Sequence, residues 1–139
     1  MSEEWIHDEF MYAVACGDLD ELKRLLSNKE VIKRLVRWNE CTPLRVAAAH
    51  GHLKVVKLLV EKGASVTAQN NRTIIRAASK GQLHVVQWLA QNGADVTARD
   101  NEPIIAAARK GHLPVVQWLA QNGADVTAQD NEPIIGAAW

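Results

Sequence analysis

The 139-residue sequence has little of what catalytic, metal or membrane sites are usually built from. Its two cysteines, Cys16 and Cys41, form no CxxC pair, which removes both a disulfide framework and a zinc-ligand spacing. Both are read as free thiols in a reducing compartment, cytoplasmic or nuclear. The amino terminus lacks the basic and apolar regions of a secretory signal, and no run approaches the ~18 apolar residues that crossing a membrane takes. Asn71-Arg72-Thr73 therefore has the form of a glycosylation sequon without a route to its chemistry. There is no phosphate-cradling glycine loop, and no His or Cys pair stands at i, i+4 on one helical face, so no cofactor and no metal are expected. Aromatic residues make up only 5% of the chain. Sixteen Lys and Arg balance sixteen Asp and Glu, leaving no overall field to draw in nucleic acid or an anionic membrane.

The neutral total conceals a pattern. Residues 1–22 carry seven acids and no Lys or Arg; residues 23–81 carry thirteen bases against three acids; residues 82–139 carry three bases against six acids. The chain runs −7, +10, −3 along its length.

Internal repetition dominates the rest. Residues 81–109 and 111–139 align without gaps at a spacing of 30 and agree at 24 of 29 positions. Residues 51–80 fit the same frame through Gly51-His52-Leu53, Val55-Val56, Leu59, Gly63-Ala64 and Val66-Thr67-Ala68, and Ala15-Cys16-Gly17-Asp18-Leu19 marks a more divergent first copy. The turn glycines fall at 17, 51, 81 and 111.

Each unit reads as helix, glycine turn, helix, glycine and a polar segment. In the fourth, Pro103 starts a helix where its missing N–H costs nothing, the helix continues over residues 104–110, and Gly111 supplies the positive φ that ends it. Residues 113–122 form the second helix, with Pro114 tolerated in its first turn and Gly123 as the stop. The apolar arc of that helix is too wide for one buried stripe and calls for two packing neighbours.

Thr42-Pro43-Leu44-Arg45-Val46-Ala47-Ala48, followed by Gly51-His52-Leu53-Lys54-Val55-Val56 and Gly63-Ala64-Ser65-Val66, resembles the ankyrin repeat signature. The resemblance implies an all-α solenoid of antiparallel helix pairs, with loops projecting at one edge and a concave face formed by the first helices. It divides the chain into one domain, 1–139, with an N-terminal cap at about 5–40, units at 41–70, 71–100 and 101–130, and a partial unit at 131–139.

Several features depart from the family. Units of 30 rather than about 33 residues leave only four residues, as in Gln129-Asp130-Asn131-Glu132, between one unit and the next helix, so the projecting fingers should be stunted. The bracing Thr and His of the signature become Arg72 with Ile75 and Glu102 with Ile105, for which apolar packing must substitute. Val31-Ile32, Leu35-Val36 and Trp38, in a longer first connection, should make one extra apolar turn. The final unit has no second helix to cover it, which suggests a fragment of a longer array, or self-association through the uncapped end.

The candidate interaction surface follows from the same frame. His50, Arg76, Ser79, Lys80, Arg109 and Lys110 should line the concave groove with positive charge, and Gln69, Asn70, Arg72, Arg99, Asp100, Glu102 and Gln129 should form a secondary loop edge. Guanidinium groups grip carboxylates and phosphates bidentately, which favours a protein partner or an acidic or phosphorylated peptide. The groove lacks the interleaved aromatics that stack bases, so no nucleic acid is expected. Trp88 and Trp118, which replace Leu58 with a smaller residue two positions on, are expected in the core. A Cys16–His50 pair has no orienting third group, and the chain is not expected to be an enzyme. The remaining readings are a targeting or scaffold fragment of a larger protein, enzymatic or otherwise, an engineered repeat scaffold, or a recently duplicated array of the kind found in host-interacting effectors.

Overall fold

A computed structural model describes residues 3–36 and 38–125, within which there are nine helices and no strand. They are α1 (Glu3–Cys16), α2 (Leu19–Leu25), α3 (Lys29–Leu35), α4 (Trp38–Ala49), α5 (Leu53–Glu61), α6 (Ala68–Ser79), α7 (Leu83–Gln91), α8 (Ala98–Arg109) and α9 (Leu113–Gln121). Helix α1 packs on α4, α4 on α6 and α6 on α8 to form one layer, while α5, α7 and α9 form the second. Gln129 and the partial unit at 131–139 lie outside the described residues.

The core follows the 30-residue period. Leu44, Ile74 and Ile104 are fully buried in the first helices, and Leu59, Leu89 and Leu119 in the second. Buried Ala47, Ala48, Ala77, Ala78 and Ala107 keep the facing surfaces of α4, α6 and α8 small, which lets these helices lie close together.

Neighbouring units are joined by the residues after two of the turn glycines, Gly51 and Gly81. His52 Nε2–H donates to the Ala15 carbonyl at 2.9 Å, and the Gln82 amide nitrogen donates to the Ala49 carbonyl at 2.9 Å. These side chains stand at the N-caps of α5 and α7, yet they cap neither helix because they reach back to the preceding unit. The glycines make room for them: a Cβ on Gly81, which has φ +73°, would lie 2.5 Å from His112 Nδ1. Gly17 meets the His52 ring in the same way.

The short connections do not form hairpin fingers. Each is a single left-handed turn of three non-glycine residues, Gln69, Asn70 and Asn71 at φ 52°, 55° and 65°, and Arg99, Asp100 and Asn101 at 52°, 55° and 67°. Asn and Asp tolerate this region better than other side chains. The last residue of each turn then closes its unit: Asn71 Oδ1 accepts from Asp95 N–H and Asn101 Oδ1 from Asp125 N–H, both at 2.9 Å. Cys41, at φ 69°, holds the equivalent place, and its Sγ accepts from Ser65 N–H at 3.4 Å.

Apolar packing therefore substitutes for the missing Thr–His brace only in part. Ile105 is buried and Ile75 half-buried, but the asparagine bonds supply a polar closure beside them. In α4 the brace survives with a different partner, since Arg45 donates to Thr42 Oγ1 at 2.8 Å.

The expected extra apolar turn after α2 is a complete helix. Asn28 caps α3 by accepting from Glu30 N–H at 2.8 Å, and Leu35 and Val36 are buried against the rest of the core. Arg24 ties the first hairpin together, lying 3.5 Å from Glu9 on α1 and bonding Glu21 on α2. The hydrogen bond from Arg24 holds the Glu21 carboxyl below its usual range.

Two stability changes follow. Asn71→Ala should cost about 2 kcal/mol, through the left-handed backbone and the lost bond to Asp95, whereas Asn71→Gly, which keeps the backbone, should cost about half as much. Urea denaturation of the two variants tests this, and equal losses would refute the backbone contribution. Thr73, whose buried hydroxyl has no hydrogen-bond partner, stands where Pro43 and Pro103 stand in the neighbouring units. Thr73→Pro should stabilise the fold by about 1 kcal/mol, visible as a raised melting temperature.

Candidate partner-binding groove

Helices α6 and α8 run side by side and enclose an open depression of about 420 Å³ lined by Arg72, Ile75, Arg76, Ser79, Arg99, Glu102 and Ala106. Arg72 and Arg76 stand one helical turn apart on α6, so they share a face. Arg99 comes from the left-handed turn that opens α8, and Glu102 from the residue just after it. Among the described residues the side chains of Arg72, Arg76 and Glu102 take part in no ion pair or hydrogen bond. Opposite charges therefore stand around an apolar floor of Ile75 and Ala106.

Five of the thirteen residues expected at the interaction surface meet in this depression: Arg72, Arg76, Ser79, Arg99 and Glu102. Lys80 and Lys110, the C-caps of α6 and α8, and Arg109, the last residue of α8, are exposed beyond it. His50 is exposed but turned onto its own unit, with Nδ1 2.9 Å from the Val46 carbonyl oxygen and its ring stacked 5.9 Å from that of His52. Asn70 and Asp100 are exposed at the tips of the left-handed turns. Gln69 is half-buried and braces the scaffold: its Oε1 accepts from Arg45 at 3.0 Å and its carbonyl from Arg99 at 2.9 Å. Gln129 is outside the described residues.

Sequence reasoning missed the floor. The signal was a drop in side-chain size along one row, Val46, Arg76 and Ala106 at a spacing of 30, with the depression opening where Ala106 follows Arg76. The +10 segment contributes little to the lining. Of its thirteen bases only Arg72 and Arg76 line the depression, while Lys23 on α2, Lys29 and Lys33 on α3, and Lys54 and Lys57 on α5 are exposed on other helices.

Other chemistry finds no assembled site among the described residues. No group of three or more His, Cys, Asp or Glu side chains converges on a metal position, and no helix is long and apolar enough to cross a membrane. Cys16 is exposed and Cys41 buried, both as free thiols, and no hydrogen bond joins Cys16 to His50. Asp95 Oδ1 accepts from the Thr97 hydroxyl at 2.7 Å and from Thr97 N–H at 2.8 Å, which holds this carboxyl below its ordinary value.

The family model for ankyrin repeats (3 copies) matches residues 10–100 and again residues 68–130. The chain belongs to the ankyrin repeat family. A 68-residue stretch is 38% identical to ankyrin repeat and SOCS box protein 1 of Mus musculus and, at the same identity, to that of Homo sapiens, covering 44% of this chain and 19% of each relative. A 69-residue stretch is 36% identical to ankyrin repeat and SAM domain-containing protein 6 of Mus musculus, covering 50% of this chain and 8% of that protein. The chain thus spans less than a fifth of the length of these curated relatives. Ankyrin repeats are generally protein–protein interaction modules, and chains of this family are typically non-catalytic.

Within this ankyrin array Trp88 and Trp118 sit at the margin of the core, half-buried against it, rather than inside it. Each indole residue also anchors its helix end, since the Asn92 and Asn122 side chains donate to the Trp88 and Trp118 carbonyls at 2.8 and 2.7 Å. Trp118→Ala should therefore cost about 2 kcal/mol, below the ~3–5 kcal/mol of a fully buried aromatic. Thermal denaturation measures the loss, and an unchanged melting curve would place the indole outside the packing.

Proposed function

We propose that this ankyrin array is a non-catalytic docking module that binds an acidic segment of a partner protein along the concave face of α4, α6 and α8. The observation that carries this reading is the depression between α6 and α8, where unpaired Arg72 and Arg76 stand beside an apolar floor. Lys80 and Lys110 extend the positive row from the helix ends, in the same position of successive units. Recognition works by presentation: the groove residues are mounted on packed helices, so little backbone ordering opposes binding. Arginine suits the task because its planar fork matches a carboxylate or phosphate with two parallel bonds.

The turns contribute less. With Gln69 and Arg99 bonded into the scaffold, the loop edge offers chiefly Asn70, Asp100 and the free side of Arg72. An intracellular setting, cytoplasmic or nuclear, accompanies this reading and rests on the two free thiols. The small share of each relative that the chain matches favours a second reading, in which the array is the interaction segment of a larger protein.

Affinity capture with the chain as bait, compared with the Lys80→Glu/Lys110→Glu variant, tests the groove. The variant should lose partners that the parent chain retains, and for any partner recovered its binding should weaken and respond less steeply to salt. Equal recovery and equal salt dependence would overturn the assignment.

A further inference from the structure

We propose that the depression between α6 and α8 is a pocket for one carboxylate side chain, which accepts a glutamate of the bound peptide followed by a cationic residue and discriminates against phosphorylated residues. This rests on the groove reading above and specifies the ligand at one point of it. The volume of about 420 Å³ lies low in the ~300–1,000 Å³ range of small-ligand sites, enough for a side chain and its neighbour but not for a folded element.

The lining divides the pocket into three parts. Arg72 and Arg76, unpaired and one turn apart, form the anion end, supported by Arg99, one of whose nitrogens is already used on the Gln69 carbonyl. Ile75 and Ala106 form an apolar floor on which the methylenes of a glutamate can lie. Glu102 is the one acid of the lining. It occupies in α8 the position that Arg72 occupies in α6, is half-buried, and has no partner of its own.

A carboxylate brings one charge to the arginines and leaves Glu102 to bind the following cation. A phosphorylated residue brings about −1.5 to −2 charges at neutral pH, and its excess falls near the Glu102 carboxylate. Glu102 is half-buried, so that repulsion is screened less than in bulk water. Glu102 thus selects by disfavouring the wrong anion as well as by holding the right neighbour.

The test uses the full chain, with N-acetyl-Glu-Lys-amide, N-acetyl-phosphoserine-Lys-amide and N-acetyl-Gln-Lys-amide as probes, followed through the arginine Nε–H and lysine side-chain NMR signals. The glutamate probe should shift Arg72 and Arg76 saturably and bind several-fold tighter than the phosphoserine probe, with no saturation by the glutamine probe. Glu102→Gln should reverse the order of the first two. Ala106→Leu, which fills the floor, should abolish binding while leaving the backbone spectrum otherwise unchanged; Arg76→Ala, at an exposed position, serves the same purpose if the leucine variant does not fold. Equal or tighter binding of phosphoserine by the parent chain would overturn the proposal, as would full binding by Ala106→Leu. Shifts confined to Lys80 and Lys110 would overturn the pocket while sustaining the groove, and a response on neither row would overturn both.

Discussion

The constraint on which the rest of the structure depends is the shortness of the connection between units. With a 30-residue period the chain has about four residues in which to leave one helix pair and begin the next, too few for a hairpin finger. It turns instead through three consecutive left-handed residues, a conformation that non-glycine side chains adopt only when something holds them there. What holds them is the bond from Asn71 or Asn101 to the N–H of Asp95 or Asp125, which ties the start of the first helix to the loop after the second. The same turn decides where α6 and α8 begin, and therefore which residues face the groove.

The groove draws its character from the positions at which the units differ. The buried rows at 44, 74 and 104 and at 59, 89 and 119 are nearly uniform and make a regular scaffold. Arg72 at the position of Glu102, and Arg76 at that of Ala106, break that regularity where α6 meets α8 and create both the space and the charge contrast. A perfectly repeated array would present the same side chain along each row. In the proposed binding role, specificity would come from asymmetry laid on a symmetric frame.

The helix-turn-helix units are readable from spacing, while their stacking into a solenoid is what the family resemblance implies. Turn glycines, Pro103 at a helix start and the apolar period each report local backbone or burial requirements, and such requirements leave residue-type signatures. The left-handed turns did not show, because Gln69-Asn70-Asn71 reads as an ordinary polar loop until the bond from Asp95, 24 residues away, is known. Helix α3 was underestimated although its cap signal, Asn28 two residues before Glu30, was present in the sequence. Of the site, the sequence divides Arg76, on the groove, from Arg72 and Arg99, on the loop edge, and does not show the depression that brings them together. A cavity is set by what is small, and Ala106 attracts no notice in a list of charged residues. The +10 sum says little about the groove, because charge summed along a segment does not report which side of a helix it falls on.

The joints between units have a consequence for how such a chain grows. Around Gly51 the chain contributes the His52 side chain, which reaches back to the Ala15 carbonyl, and the Ala49 carbonyl, which receives Gln82 of the next unit. One 30-residue segment therefore carries both halves of a joint, a donor for its predecessor and an acceptor for its successor. A copied segment can insert at either side of its original without any new interface having to be invented, since the ring or amide meets the same small glycine wherever it lands.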